Sequence, residues 1–188
     1  MHATDPRRFW QSKRNKKMTY NHKKAIHKMP PPNPEHTCSR CTATTNSGSR
    51  CKLRTCRSQL CWLHLRRDKG LRIRPSGQGP NAGMGLWAER EIPRNRVIAP
   101  YAGISYTREQ LDHDYGGEQA DYTFCAYPNK CKDARRTNST AARYANTTTP
   151  QAQARRNAKL TSRFNLTSKR RIPAGQEILT SYGPQYTL

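Results

Sequence analysis

The sequence predicts a mostly β fold of many short strands, preceded by a small metal-stabilised module. Three observations carry that expectation. From Gly83 onward, apolar segments of strand length, rich in β-branched and aromatic residues, alternate with Gly, Pro and Asn. Between them runs no long helical stretch, which argues against a βαβ array. Upstream, five of the seven cysteines crowd into residues 38–61.

In chain order, residues 1–36 are basic and polar and contain Pro30-Pro31-Pro32-Asn33-Pro34. Without an apolar period they are expected to form a flexible basic arm. Residues 37–66 make the Cys/His module. Residues 67–78, charged and then rich in Gly, Pro and Ser, suit a connector. Residues 79–188 form the larger domain. Its strand-length segments are GLWA, RVIAPYAG, ADYTFCAY, ARYAN, NAKLTSRFNLTS and EILTSY. Short helices are expected near residues 107–114 and 140–144.

Lysine and arginine number 35 against 12 acidic residues, for a formal net charge of +23. The excess is uneven: residues 1–74 hold 19 basic and 3 acidic side chains, and residues 75–188 hold 16 and 9. Such an excess implies a polyanionic neighbour, most simply DNA or RNA, in a nucleic-acid-rich environment such as chromatin, and nucleosomal DNA is the partner expected for the basic N-terminal region. Base-specific reading is not expected, because neither a recognition helix nor an aromatic stacking surface is evident. No run approaches a membrane span, and MHATDPRRFW lacks the apolar core of a secretory signal. A soluble protein of the nucleus with no membrane partner is expected, and in a reducing compartment its cysteines favour metal over disulfides.

Cys41, Cys51, Cys61 and His64 have the spacing C-x9-C-x9-C-x2-H. A structural zinc wants four such ligands in a closed tetrahedron, and so small a module needs the metal's binding energy to fold. Cys38 and Cys56 leave the choice open, since six candidates compete for four places and Cys38-x-x-Cys41 is the commoner knuckle pair. The patch resembles short zinc-binding modules of the form C…T…G…C…C-x2-H from large DNA viruses and protists. That resemblance favours Cys41, Cys51, Cys61 and His64.

Four short motifs follow in order: Gly83-Met84-Gly85-Leu86, Tyr101-Ala102-Gly103, Arg143-Tyr144-Ala145-Asn146, and Glu177-Ile178-Leu179-Thr180-Ser181-Tyr182-Gly183. The Gly-x-Gly is not followed by a helical stretch of the dinucleotide-binding kind. Together, over residues 79–187, the motifs resemble the SET domain of protein-lysine methyltransferases. The resemblance implies a fold of small curved sheets with a pseudoknot-like crossing that brings the third motif beside the fourth. It also implies an activity, methyl transfer from S-adenosyl-L-methionine (SAM) to a lysine, with a histone tail in chromatin or another basic protein as substrate. A catalytically weak SET-fold module that binds nucleosomes or DNA is the alternative.

Transfer of a methyl group from a sulfonium to an amine needs a neutral amine, alignment of its lone pair with the S–CH3 bond, and little competing water. Tyrosines suit such a site: the rings wall an aliphatic lysine stem and the hydroxyls orient polar atoms. By position in the motifs, the resemblance makes Tyr182 the essential tyrosine, orienting the methyl group and touching the cofactor. A free phenol pKa of about 10 argues against a general base there. Tyr122 is implied as the wall of the lysine channel, with Tyr101 a weaker candidate for the same wall. On the cofactor side, Gly83, Met84 and Gly85 let the backbone approach closely. Asn146 is expected to reach the amino-acid part of SAM or a nearby backbone group, Arg143 and Tyr144 to brace the crossing, and Tyr186 to stack near the adenine.

Two positions depart from the family pattern: Thr147 stands where a histidine is usual, and Thr180 where Phe or Tyr is common. No cysteine follows Cys131, so the family's frequent zinc tail after the domain is expected to be missing and another element to close the pocket. The acidic run EQLDHDYGGEQAD is a plausible dock for a basic peptide.

Overall fold

The computed structural model describes residues 36–115, 121–126 and 129–182. The expected arm apart from His36, the middle of the acidic run with Glu118, and Tyr186 lie outside the described residues.

The N-terminal module is built on a two-residue antiparallel ladder, β1 Ser39–Arg40 with β2 Arg54–Thr55. Ser39 faces Thr55, so the next positions outward, Cys38 and Cys56, oppose each other and are joined as a disulfide with Cα atoms 4.0 Å apart. A second disulfide, Cys125–Cys131, lies in the larger domain. The expectation of metal in place of disulfides is therefore corrected for these four cysteines. Strand register, which spacing does not reveal, decides the pairing.

A helix not foreseen from the sequence, α1 Trp62–Lys69, follows Cys61 and ends at Gly70, whose amide donates to the Arg66 carbonyl at 2.9 Å. Arg66, Arg67 and Lys69 fill its last turn, where the exposed carbonyls favour cations. β3 Leu71–Pro75 pairs in five-residue register with β4 Met84–Ala88. The stretch 67–78, expected as a connector, thus holds the end of α1 and all of β3. Its strand signal is the alternation Leu71-Arg72-Ile73-Arg74, which buries Leu71 at 1% exposure while the Arg74 guanidinium lies 3.8 Å over the Trp87 ring.

Next come β5 Val97–Pro100, β6 Ile104–Tyr106, α2 Arg108–Tyr115, β7 Thr123–Ala126, β8 Lys130–Asp133, β9 Ala158–Leu160 and β10 Asn165–Ser168. Short 3-10 turns cover Pro80–Ala82, Ala141–Tyr144 and Pro150–Arg155. The pairings are antiparallel, in the orders β5-β10-β9 and β6-β8-β7 beside β3-β4. The mostly β architecture of small sheets is as expected. Leu71, Leu86, Leu166, Ile172 and Ile178 are buried to within 1% exposure, each drawn from a different segment, so one core joins the small sheets. No helix among the described residues is long and apolar enough to cross a membrane.

The last motif enters this core as an extended segment between two others. On one side the Ile178 amide donates to the Leu86 carbonyl at 2.7 Å. On the other, the amides of Asn157 and Ala158 donate to the Leu179 carbonyl at 3.0 and 2.9 Å. At its end the Thr180 amide donates to the Asn146 carbonyl at 2.8 Å. Motifs more than thirty positions apart in sequence thereby share one wall.

Candidate active site

That wall faces a cavity of about 850 Å³, whose lining includes Tyr101, Tyr122, Tyr182, Met84, Asn146 and Thr180. The volume lies in the range of small-molecule sites.

Tyr182 stands at the mouth, 40% exposed, and its hydroxyl donates to Asn146 Oδ1 at 3.2 Å. Tyr122 is also half-open, at 36%. Its backbone has φ +59°, in the left-handed region that costs a bulky residue of order 1–3 kcal/mol. Three contacts hold it there. The Tyr101 hydroxyl and the Ala134 amide donate to the Tyr122 carbonyl at 2.6 and 3.0 Å, and the Arg143 guanidinium lies 4.0 Å over its ring. Tyr101 is thus buried and anchors Tyr122, besides bordering the cavity. Burial, with Tyr182 nearby, pushes its pKa well above the usual phenol value, so its hydroxyl remains a donor.

Arg143 is buried at 5% exposure, stacked between Tyr122 and Tyr144, with Nε donating to the Ala134 carbonyl at 2.7 Å. Tyr144 donates to the Thr137 carbonyl at 2.9 Å. The amide group of Asn146 is engaged within the protein: Nδ2 donates to the carbonyls of Ala82 and Met84 at 3.3 and 3.1 Å, while Oδ1 accepts from Tyr182. Of the two roles expected for Asn146, the backbone contact is the one the geometry displays. Gly83 has φ +60°, which turns the chain into β4, and Met84 borders the cavity. Gly85 faces away from it: a Cβ there would meet Glu177 Oε1 at 2.2 Å. It is a glycine because a carboxylate fills that space, a role different from the cofactor approach expected for it. Thr147, where the usual histidine is replaced, is buried and borders the cavity.

The cavity has contributors that sequence reasoning missed. His36, at the end of the arm, and Cys56 and Arg57 of the N-terminal module form part of its wall. The module is moored there by the Thr37 amide donating to Thr137 Oγ1 at 3.0 Å and by Asn138 Nδ2 donating to Ser39 Oγ at 3.1 Å. It thus covers a side of the pocket. Of the acidic run, Asp121 borders the cavity, while Glu109, Asp112 and Asp114 sit exposed on α2.

Inside the module, Cys41, Cys51, Cys61 and His64 converge with their ligand atoms within 4.8 Å of one another, all four buried. His64 Nδ1 lies 3.2 Å from Cys61 Sγ and 3.6 Å from Cys41 Sγ. The single turn of α1 between Cys61 and His64 sets the first distance. Burial alone raises the Cys41 thiol pKa, but the amides of Cys61 and Ala43 and the adjacent thiols outweigh it and lower the value, favouring the thiolate that metals bind. Three soft sulfurs and one imidazole in a closed cluster have the chemistry of a structural zinc site.

Small antiparallel sheets, a closing segment drawn between two others, and a tyrosine-walled cavity at their junction define an enzyme-like domain with room for a substrate chain and a small cofactor. The family model of the SET domain matches residues 83–183, more than half of the chain, and the protein belongs to that family. SET domains are in general protein-lysine methyltransferases that use SAM. No curated protein matches the chain at a significant level.

Proposed function

We propose that the chain is an active SAM-dependent protein-lysine N-methyltransferase acting on a histone in chromatin. The observation that supports it best is the convergence of Tyr182, Tyr122, Met84 and Asn146 on one cavity. The cavity fits the cofactor chemically: two hydroxyls on its wall, Thr123 and Thr180, are buried without a protein partner, and its cofactor side is formed by the backbone turn 77–83. SAM, when bound, supplies the methyl group on a sulfonium.

The chain's own residues do the rest. Tyr122, clamped by Tyr101 and Arg143, walls the lysine stem and limits its water. Tyr182, oriented by Asn146, presents its hydroxyl where the methyl group passes. Zinc held by Cys41, Cys51, Cys61 and His64 stabilises the module that covers the pocket. The basic N-terminal region supplies affinity for nucleosomal DNA, in keeping with action in the nucleus.

Label transfer from methyl-radioactive SAM to histones, nucleosomes and free peptides tests the proposal. Label on a histone lysine is expected. Label only on a non-histone basic protein moves the substrate and leaves the chemistry. No transfer to any acceptor at saturating SAM overturns it in favour of the weak module that Thr147 suggests.

A further inference from the structure

Glu177 opens the closing segment, yet its side chain turns away from the methyl-transfer cavity and is buried at 5% exposure. It lies behind the turn that forms the cofactor side. Ser76 Oγ donates to its Oε1 at 2.7 Å, and the Gly77 amide and Gln78 Nε2 donate to its Oε2 at 2.9 and 3.0 Å. Three consecutive residues, about a hundred positions away in sequence, are thus gathered on one carboxylate. Bonds to an ionised acceptor are roughly twice as strong as neutral ones. The carboxylate is itself held in place. The bridge between Trp87 and Glu177 fixes its backbone, Asn157 Nδ2 donates to its carbonyl at 2.8 Å, and Gly85 leaves the space that its Oε1 occupies. The other side of the same turn, Gly77 to Met84, borders the cavity.

We infer that Glu177 is a positioning residue for the cofactor: it sets the 76–83 turn in the shape that receives SAM, and so acts on cofactor affinity and leaves the methyl-transfer step alone. The inference rests on the methyltransferase reading. Glu177 hydrogen-bonds neither tyrosine directly: the Tyr182 hydroxyl donates to Asn146, and Tyr122 is held by Tyr101 and Arg143.

The test is calorimetric SAM binding, with steady-state kinetics, on full-length Glu177→Gln, Gly85→Ala and Gln78→Ala. Glu177→Gln places an amide donor among three donors. Gly85→Ala pushes the intact carboxylate out of place, and Gln78→Ala removes one part-buried bond at a half-buried side chain and leaves the carboxylate's other two partners. Expected are a roughly tenfold weaker SAM affinity in the first two and a smaller loss in the third. At saturating SAM, kcat and the peptide KM should stay within about twofold of wild type. Unchanged SAM affinity in folded Glu177→Gln and in Gln78→Ala overturns the inference, as does a fall in kcat without a change in SAM affinity. If Glu177→Gln does not fold, Gly85→Ala and Gln78→Ala decide. Wild-type protein that takes up no SAM overturns the methyltransferase reading and the inference together, so the two failures are distinguishable.

Discussion

Tyr182 and Asn146, thirty-six positions apart in sequence, share a 3.2 Å hydrogen bond in which the tyrosine hydroxyl donates to the amide oxygen. The same amide donates to the carbonyls of Ala82 and Met84, and the Asn146 carbonyl accepts from the Thr180 backbone. One asparagine therefore ties Tyr182, the turn that ends at Met84 and the closing segment to one another.

Asn146→Ala removes the three side-chain bonds at once. At about 1 kcal/mol each, kcat/KM should fall roughly 100-fold, with both kcat and the SAM KM affected. A fall confined to the peptide KM contradicts this, since the side-chain bonds of Asn146 go to Tyr182, Ala82 and Met84 and none to Tyr122.

Tyr101→Phe deletes the hydroxyl that holds the Tyr122 carbonyl in a left-handed backbone. Peptide kcat/KM should drop about tenfold, while SAM affinity is preserved. Burial keeps the Tyr101 hydroxyl protonated well above the usual phenol range, so the loss should be the same at every assay pH and the shape of the pH profile should not change. A variant whose deficit disappears at high pH shows instead that Tyr101 titrates and takes part in proton transfer.

Metal analysis of protein prepared without chelator should give about one zinc per chain. Cys51→Ser and His64→Ala should each lose it, and Cys38→Ser should not, because Cys38 is paired with Cys56 outside the cluster. Because the module covers the pocket, zinc loss should also lower methyl transfer. Retained zinc in His64→Ala, or lost zinc in Cys38→Ser, shows a different ligand set.

How far the sequence reached depends on the range of the interactions involved. The glycine turn at Gly83 and the apolar strands around Leu86 and Leu166 were legible, because turn chemistry and alternation are local. The crossing that seats Thr180 on Asn146 was implied only by family resemblance, since no local pattern encodes which segment passes between which. Spacing left six candidate metal ligands, and β1-β2 register removed two of them by opposing Cys38 to Cys56. β3 resembles a connector in sequence because its alternate positions, Arg72 and Arg74, are arginines, and the guanidinium of Arg74 finds its place over Trp87 only in the fold. Glu177 went unassigned because its partners, Ser76 to Gln78, lie at the far end of the domain. Its one local sign is a carboxylate placed directly before the apolar pair Ile178-Leu179.

Removal of residues 1–36 should weaken nucleosome binding and flatten its salt dependence, because lysines and arginines neutralise phosphates without needing a fixed geometry. Its kcat on a short peptide should stay within about twofold, as His36 alone of the removed stretch borders the cavity among the described residues and every motif of the domain lies beyond residue 82. Equal affinity and equal salt slope for the full-length and residue 37–188 forms leave the arm with no part in DNA binding.

The central claim is that Tyr182 works at the methyl-transfer step of a lysine methyltransferase. Its most direct test is methyl-radioactive SAM turnover on histones by wild type and Tyr182→Phe, with SAM affinity measured on both. The account predicts label on lysine with the wild type, and a loss of roughly 100-fold or more in kcat for the variant with SAM affinity within a few-fold. Equal turnover by Tyr182→Phe, or a wild type that binds SAM and labels no lysine in any protein offered, contradicts it.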